Sequence, residues 1–329
     1  MAASNDLGGL SRRGLLAGAA AMTSGTVLAQ SAPAPRTKGP IVWLDMDQHE
    51  LDESYDQSVY AFNQQHITDR RSERNEVVLK LLGKPDRVAY GAAEIEKVDI
   101  YKTRRANAPV MIYVHGGAWR SGQSAQNAYL AEPFVKAGAH FINVEFNNVG
   151  EVNGDIGVMV DQCRRAVAWV YRNAASFGGD PNALYLSGHS SGGHLAGCVV
   201  ITEWEKQGLP RDLLKGALLG SGMYDLRPPR LSARSRYVKF TDAMEEALSA
   251  QRHLDRVHTP LVLVHGTLET PDFMRQTRDF HAALRAAGKP VTLIVAKGYN
   301  HFELGESLGN PYGVMGRAAF EMMKLGMAV

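Results

Sequence analysis

The sequence predicts an α/β protein with a mostly parallel central sheet that helices cover on both faces. Six short apolar runs are typical of strands buried on both faces, because polar residues do not alternate through them. Helical patterns with apolar residues every three or four positions lie between several of these runs. Strand followed by helix, repeated along the chain, produces right-handed crossovers and parallel strands. The six runs are residues 110–114, 141–146, 183–187, 217–221, 261–265 and 291–296.

Length and composition favour one large domain and give no sign of a polyanionic partner. The chain has 329 residues, of which 45% are apolar, and α/β sheets of this size often form a single core. We therefore assign residues 41–329 to one domain. The formal net charge of +2 gives no electrostatic reason to expect nucleic acid as a partner. The sequence does not indicate an oligomeric state.

Residues 1–29 are typical of a twin-arginine export signal. Arg12 and Arg13 precede an uncharged stretch, residues 14–27, and small residues then lead to a candidate cleavage site at Ala29. This stretch is shorter than the roughly 20 residues that span a bilayer, so we expect no membrane span in the mature protein. Residues 30–40 form a Pro-rich linker. We expect a periplasmic or secreted protein that is exported folded; an ordinary amphipathic or disordered N-terminus is the alternative.

The cysteine content suggests two thiols and no metal site. Cys163 and Cys198 are the only cysteines, and both lie in apolar helical patterns, where free cysteine behaves as a small buried hydrophobe. An oxidising compartment would also permit a disulfide between them. Neither has a histidine or an acid at the spacing of zinc ligands. We expect neither a metal nor an organic cofactor.

Two stretches interrupt the pattern of strands and helices. Residues 45–82 are charged and are predicted to be helical, and residues 225–256 are rich in Pro, Arg and Ser. We expect both stretches to form a small cap over a substrate pocket. The pocket is expected at the carboxyl ends of the strands, where ligands bind in open α/β sheets. A solvated surface excursion is the alternative for either stretch.

The segment SGHSSGG, residues 187–193, carries a candidate nucleophile. In the frame Gly-His-Ser-Ser-Gly the pattern GxSxG is centred on Ser190, and it lies where a predicted strand passes into a predicted helix. A sharp turn there needs small neighbours and lifts the serine hydroxyl above the sheet. The adjacent Ser191 is predicted to contribute its backbone N–H to an oxyanion site, because it begins the helix.

A second set of oxyanion donors is predicted from HGGAW, residues 115–119, directly after a buried strand. Glycines in this position let the backbone approach a substrate oxygen closely, so Gly116 and Gly117 are the candidate donors. His115 is predicted to brace the loop rather than to transfer a proton.

A serine nucleophile needs a general base and a carboxylate that orients it. In hydrolases with this type of serine turn, the acid and then the histidine follow the serine along the chain. His301 follows the last predicted strand on a predicted loop and is therefore the candidate base. Glu269 and Asp272 both follow the strand before it. Glu269 lies nearer the strand end and is preferred; Asp272 is the alternative, and either acid is also suited to cap the next helix.

Several residues are candidates for the pocket wall. Ala118 follows the two glycines, and Trp119, Tyr224 and Phe302 are aromatic residues near the predicted site. Packing in the core is an equally good interpretation of each aromatic residue.

The chain resembles the α/β-hydrolase superfamily and, within it, the kynurenine formamidase (arylformamidase) branch and its esterase relatives. The resemblance extends from about residue 51 to residue 323 and depends on HGGAWRSG, GHSSGGHLAG, SGMYDLRP, GTLETPDF and NHF. It implies Ser190 as nucleophile, His301 as base and Gly116, Gly117 and Ser191 as oxyanion donors. In that branch the acid lies two residues before a proline, which implies Glu269. Two departures are visible: the acid is usually Asp, and Ala118 replaces a common aromatic residue.

These features together predict a serine hydrolase that cleaves a small carboxylic ester or an aryl (form)amide through an acyl-enzyme. The partner is then a small-molecule ester or amide substrate. Two alternatives remain: a binding protein that keeps the fold without catalysis, and an acyltransferase that uses an alcohol in place of water.

Overall fold

The structure is a computed structural model, and it describes residues 36–326. The predicted export signal and residues 30–35 of the predicted linker lie outside the described residues, so both stay predictions. Ten strands are described within this range. They are β1 (Ile41–Trp43), β2 (Met46–Asp47), β3 (Asp86–Ala89), β4 (Lys97–Tyr101), β5 (Ala108–Val114), β6 (His140–Val144), β7 (Gly179–His189), β8 (Leu214–Gly220), β9 (Leu261–Leu268) and β10 (Val291–Asn300).

Eight of these strands form one sheet in the order β10-β9-β8-β7-β5-β6-β4-β3. Strands β5 to β10 pair in parallel, whereas β4 and β3 are antiparallel additions at one edge. The predicted α/β class is therefore confirmed, and each of the six apolar runs contributes a strand. The sequence prediction missed the edge strand β3 and its neighbour β4 because these short strands carry charged residues. The strands β1 and β2 form a separate antiparallel pair.

Ten α-helices accompany the strands within the described residues. They are α1 (Gln48–Glu53), α2 (Gln64–Leu82), α3 (Ala131–Lys136), α4 (Ile156–Asn173), α5 (Ser191–Val200), α6 (Arg227–Leu231), α7 (Asp242–Ala247), α8 (Pro271–Ala286), α9 (His301–Glu306) and α10 (Val314–Met323). Among these residues, none of the helices combines the length and apolarity needed to cross a bilayer.

Both faces of the sheet are buried at its centre, as the uninterrupted apolar runs predict, whereas the edge strands β3 and β10 are exposed or only partly buried along most of their length. All seven residues of β5 are buried. Val110, Ile112 and Val114 belong to one apolar cluster with side chains of α4, α5 and α8. Met111 and Tyr113 belong to a second cluster with side chains of α3, α9 and α10. Because successive strand residues point to opposite faces, the two clusters are the two helical layers on either side of the sheet.

The strand register brings the predicted site loops together at the carboxyl ends of the parallel strands. Val114, the last residue of β5, pairs with Gly188 near the end of β7. Leu268, the last residue of β9, pairs with Asn300 at the end of β10. Parallel strands present their carboxyl ends at the same edge, so the loops that follow these four strands meet there.

The two irregular stretches contact each other and form the predicted cap. Residues 45–82 contain α1 and α2, and residues 225–256 contain α6, α7 and three short 3₁₀ turns. The Ala233 N–H donates to the Asp52 carboxylate at 2.6 Å, and the Gln48 amide donates to the Leu231 carbonyl at 2.9 Å.

Candidate active site

Ser190 lies at a strained turn between β7 and α5. Its φ of 61° and ψ of −129° are unusual for a residue with a side chain, and such strain occurs mainly where the structure demands it. The flanking glycines explain how the turn fits. A Cβ on Gly188 would lie 2.3 Å from the Gly192 carbonyl oxygen, and one on Gly192 would lie 2.2 Å from the Val114 carbonyl oxygen. The GxSxG spacing is therefore a steric requirement of this turn.

His301 and Glu269 form a buried pair at the ends of β10 and β9. The His301 Nδ1 lies 2.8 Å from the Glu269 Oε2. The histidine lies on a helix and not on the predicted loop: it is the first residue of α9. Asn300 caps that helix by accepting the N–H groups of Phe302 and Glu303. The sequence Asn-His-Phe-Glu is a capping-box pattern, which was the available signal for this helix.

The second carboxylate oxygen of Glu269 is held by two donors. The Ser221 hydroxyl and the Gly266 N–H each donate to Oε1 at 2.6 Å. Only Oε2 is then left to face His301, so the acid has one orientation. The sequence analysis did not single out Ser221. Its position directly after β8, at the same edge of the sheet as the other loops, was the signal that would have found it.

Asp272, the alternative acid, faces other partners. Its carboxylate accepts hydrogen bonds from the Tyr55 hydroxyl and the Arg275 Nε, both at 2.6 Å. It lies in the first turn of α8, where a negative charge is stabilised by the helix dipole. Burial, and secondly the Asp272 charge, raise the pKa of Tyr55 well above its usual value. The structure thus gives Asp272 a role in joining the cap to α8, and Glu269 is the partner of His301.

The glycine loop after β5 lies beside the serine turn. A Cβ on Gly116 would lie 3.0 Å from the Ser190 Cβ, and Gly117 has a φ of +124° with no room for a side chain beside Ser121. Among the described residues, no backbone carbonyl accepts from the N–H of Gly116 or Gly117. The N–H of Ser191, the first residue of α5, is one of the donors that a helix leaves open at its start.

His115 braces this loop, as predicted. Its ring stacks on Phe146 with the centroids 4.3 Å apart, and its Nδ1 lies 2.9 Å from the Gly116 carbonyl oxygen. Burial lowers the pKa of His115, so the ring is neutral near neutral pH.

Two of the four predicted wall residues are in the core. Trp119 is only 1% exposed, and its indole N–H donates to the His194 Nδ1 at 3.1 Å. Tyr224 is fully buried and stacks on Phe280 at 4.4 Å between centroids. The prediction that they line the pocket is wrong, because the large rings fill space beneath the loops. Ala118 and Phe302 do line the cavity.

The cavity at this edge has a volume of about 750 Å³. Ser190, His301 and the two loop glycines contribute to one side of it, and residues of the cap contribute to the other side. This volume lies in the range of pockets for small molecules. Within residues 36–326, no group of three or more His, Cys, Asp or Glu side chains is arranged to hold a metal ion. Cys163 and Cys198 are buried, unpaired thiols.

The eight-stranded sheet with its serine turn and following helix has the architecture of α/β hydrolases, and comparisons with known proteins agree. The family model BD-FAE matches residues 98–217. A kynurenine formamidase of Danio rerio is 32% identical over 67% of this chain and 75% of its own length. One of Salmo salar is 30% identical over 81% of this chain and 93% of its own length.

A solved structure shows the same fold. The esterase Est2 of Thermogutta terrifontis superposes with a TM-score of 0.61 at 23% identity, covering 74% of this chain and 92% of that protein. The chain belongs to the α/β-hydrolase superfamily, in the branch of the kynurenine formamidases and related esterases, which confirms the resemblance noted in the sequence. It is accordingly a hydrolase.

Proposed function

We propose that the protein is a serine hydrolase that cleaves a small carboxylic ester or an aryl formamide through an acyl-enzyme at Ser190. The observation that carries this proposal is the 2.8 Å contact between the His301 Nδ1 and the Glu269 Oε2, beside a serine held at a φ of 61°. A hydroxyl nucleophile needs such an oriented base. The kynurenine formamidase relatives support the formamide, and the esterase relatives support the ester.

The reaction begins with attack by the Ser190 Oγ on the substrate carbonyl carbon. Glu269 accepts the Nδ1–H of His301, which leaves the Nε2 lone pair to take the serine proton. The N–H groups of Gly117 and Ser191, assisted by Gly116, stabilise the oxyanion. The tetrahedral intermediate then expels the alcohol or amine, which takes the proton from the His301 Nε2.

Water completes the cycle. His301 removes a proton from a water molecule as it attacks the acyl-enzyme carbonyl, and a second tetrahedral intermediate forms at the same oxyanion site. Its collapse breaks the bond to the Ser190 Oγ, which recovers the proton from His301, and the carboxylic acid is released. The cycle consumes one substrate and one water molecule, and it regenerates Ser190 and His301 in their starting protonation states.

The test is Ser190→Ala, measured with phenyl acetate and formanilide. We expect kcat to fall by roughly 10⁴-fold or more, because removal of the nucleophile leaves only binding and the oxyanion site. A fluorophosphonate probe should label the wild-type protein and not the variant. Ser191→Ala is the matched control, since its contribution is a backbone N–H that alanine keeps. Full activity or full labelling of Ser190→Ala would disprove the proposal.

A substrate comparison decides between ester and formamide. The ratio of kcat/KM for phenyl acetate and for N-formylkynurenine ranks the two classes in the same protein. Product analysis with added methanol tests the acyltransferase alternative, because a transferase would form methyl ester in preference to free acid. Absence of turnover on the whole panel, together with absence of fluorophosphonate labelling, would favour the non-catalytic binding protein.

A further inference from the structure

Arg234 is a buried cation in the cap. Among residues 36–326 it is the only buried arginine or lysine, with 6% of its surface exposed. It lies in the 3₁₀ turn Ala233–Arg236, and it lines the same cavity as Ser190 and His301. Burying a charged group is costly unless that group is paired, so its partners decide what it does.

The partners of Arg234 within the protein are all uncharged. Its Nη1 donates to the Tyr237 hydroxyl at 2.6 Å, and its Nη2 donates to the Tyr55 carbonyl at 3.2 Å. The guanidinium also lies over the rings of Tyr55 and Trp119, with its Cζ 5.5 and 5.4 Å from their centroids. These aromatic faces offset part of the cost of burial.

No carboxylate compensates the charge. Within the described residues, no ion pair involves Arg234, whereas the partly buried Arg275 has two such pairs, with Asp272 and Asp279. The Nε–H of Arg234 is buried and has no hydrogen-bond partner in that part of the chain. A guanidinium carries five N–H donors, and the hydrogen bonds to Tyr237 and Tyr55 use one on each Nη atom. One N–H on each Nη atom is therefore left for a ligand in the cavity that Arg234 lines.

The other charged groups of the cavity reinforce this positive character. The half-buried Arg71 also lines it, and Arg120 lines it from an exposed position. The ion pairs among residues 36–326 include neither of them. The two acidic lining residues, Asp56 and Glu76, are exposed, so water screens them, and Arg120 likewise, at the rim. Arg234 and Arg71 are the charged lining residues that are more deeply placed. The interior of the cavity therefore presents positive charge to a ligand.

We propose that Arg234 binds a carboxylate on the substrate, so that the preferred esters or aryl formamides carry an anionic group away from the bond that is cleaved. A planar guanidinium fixed on aromatic rings matches a carboxylate with two parallel hydrogen bonds. Trp119, which supports the guanidinium, follows Ala118 of the glycine loop, and this links the carboxylate site to the oxyanion site along the chain. The inference deepens the proposed function and rests on it for the scissile bond only.

The test compares two substrates of one shape, 4-acetoxybenzoate and its neutral amide 4-acetoxybenzamide, together with their 3-isomers. For the wild-type protein we expect kcat/KM to favour the carboxylate by about 10- to 100-fold in at least one isomer, mainly through KM, because a charge-assisted hydrogen bond forms. Added salt should reduce this preference. A wild-type protein that does not discriminate between carboxylate and amide in either isomer overturns the inference.

The variant Arg234→Met removes the charge and keeps much of the side-chain volume. We expect the carboxylate-to-amide ratio of kcat/KM to fall toward one, whereas Arg234→Lys retains part of it. Arg236→Met is the matched control: it lies in the same 3₁₀ turn, and its side chain is 78% exposed and 3.7 Å from Asp52. That control should keep the wild-type ratio. Equal losses on both substrates in Arg234→Met would indicate a structural role and overturn the inference.

A binding measurement separates this inference from the proposed function. Calorimetry on the Ser190→Ala protein should show benzoate binding at least about tenfold more tightly than benzamide, and the double variant with Arg234→Met should lose that difference. If the protein binds benzoate more tightly than benzamide but the wild-type protein hydrolyses no substrate, the carboxylate site stands and the serine hydrolase is disproved. If the wild-type protein hydrolyses substrates but does not distinguish carboxylate from amide, the serine hydrolase stands and the carboxylate site is disproved.

Discussion

The sheet side of the cavity and the cap side are held by different kinds of contact. On the sheet side, backbone atoms at the ends of β5 and β7 and at the start of α5 approach so closely that Gly188 and Gly192 have no room for a Cβ. On the cap side, polar side chains make the contacts: the Tyr55 hydroxyl bonds to Asp272 at 2.6 Å, and the Gln57 amide bonds to the Thr270 hydroxyl at 2.8 Å. We infer that the sheet side sets the rate of the chemistry and that the cap side selects the substrate.

The largest expected difference is between two acids that are close in the sequence. Glu269 follows β9, and Asp272 lies in the first turn of α8. In Glu269→Gln, an amide N–H would face the His301 Nδ1 and favour the wrong tautomer, so we expect kcat to fall by roughly 10³- to 10⁴-fold. In Asp272→Asn, we expect a fall of less than about tenfold in kcat together with a free energy of unfolding about 3 kcal/mol lower. The partly buried Arg275 loses its charged partner, and the single amide oxygen can accept only one of the two hydrogen bonds from Tyr55 and Arg275. Steady-state kinetics and urea unfolding of both variants measure this.

The inferred division between a sheet side that sets the rate and a cap side that selects the substrate is wrong if the two variants show each other's expected effects. A Glu269→Gln protein with near wild-type kcat would remove the acid from the proposed triad, and a large rate loss in Asp272→Asn would give that acid the role.

A second prediction concerns the backbone packing of the sheet side. A Cβ in Gly192→Ala would lie 2.2 and 2.5 Å from the carbonyl oxygens of Val114 and His115, and neither carbonyl moves without moving the glycine loop. We expect the free energy of unfolding to fall by about 3 kcal/mol or more, and we expect the hydrolytic activity to be lost as well. Gly208→Ala is the control, because Gly208 has a φ of +69° but an added Cβ there would meet no atom within 4 Å. Only about 1 kcal/mol of backbone strain is therefore expected in the control.

Thermal unfolding of the two variants checks this prediction. Equal destabilisation by the two substitutions would show that the close approach at Gly192 relaxes easily, and the sheet side would then be no more rigid than a surface turn.

The smallest expected effect concerns His194, which joins the two sides. Its Nδ1 accepts the Trp119 indole N–H, and its Nε2–H therefore donates to the Leu248 carbonyl at 3.1 Å in the cap segment. Burial lowers the pKa of His194 to about 4, below the value of about 6.5 in an unfolded chain. The unfolded state then binds more protons as pH falls, so this contribution to stability is present above pH 6.5 and is lost toward pH 4.

Between pH 8 and pH 5, the His194 contribution to the unfolding free energy should fall by about 2 kcal/mol. His194→Gln removes the titrating group, so its unfolding free energy should depend less on pH by that amount in urea unfolding at both pH values. His66→Gln, a change at an exposed position, should keep the wild-type dependence. An unchanged dependence in His194→Gln would show that protonation of this bridge does not weaken the fold.

Local sequence patterns predicted most of the strands and the candidate catalytic residues on the sheet side of the cavity. The apolar runs predicted the parallel strands because burial on both faces, which holds for the central strands, requires continuous apolar residues. The pattern GxSxG predicted the serine turn because its glycines are a steric need. The strand β4 (Lys97–Tyr101), which lies next to the edge strand β3, was not predicted because it is short and begins with a charged residue. Trp119 and Tyr224 were wrongly predicted to line the pocket. The sequence does not distinguish an aromatic ring that packs beneath a loop from one on the surface of that loop.

Arg234 shows why the cap side was harder to predict. Its segment, RLSARSRY, has three arginines within seven residues, yet one is buried against Tyr55 and another, Arg236, is largely exposed. The difference comes from the contacts of Arg234 with Tyr55, just after α1, and with Trp119 of the glycine loop, both far away in the sequence. Ser221 is similar, because its role depends on a carboxylate 48 residues later in the chain.

The two cysteines make the protein convenient for labelling chemistry. They are the only thiols in the chain, both are buried, and burial raises the pKa of Cys198 to about 12. Thiolate is the reactive form, so alkylating reagents should leave the native protein unmodified. A cysteine introduced at the exposed Ser72 on the cavity rim would then take a single fluorophore without prior removal of native residues, and substrate entry would be observable directly.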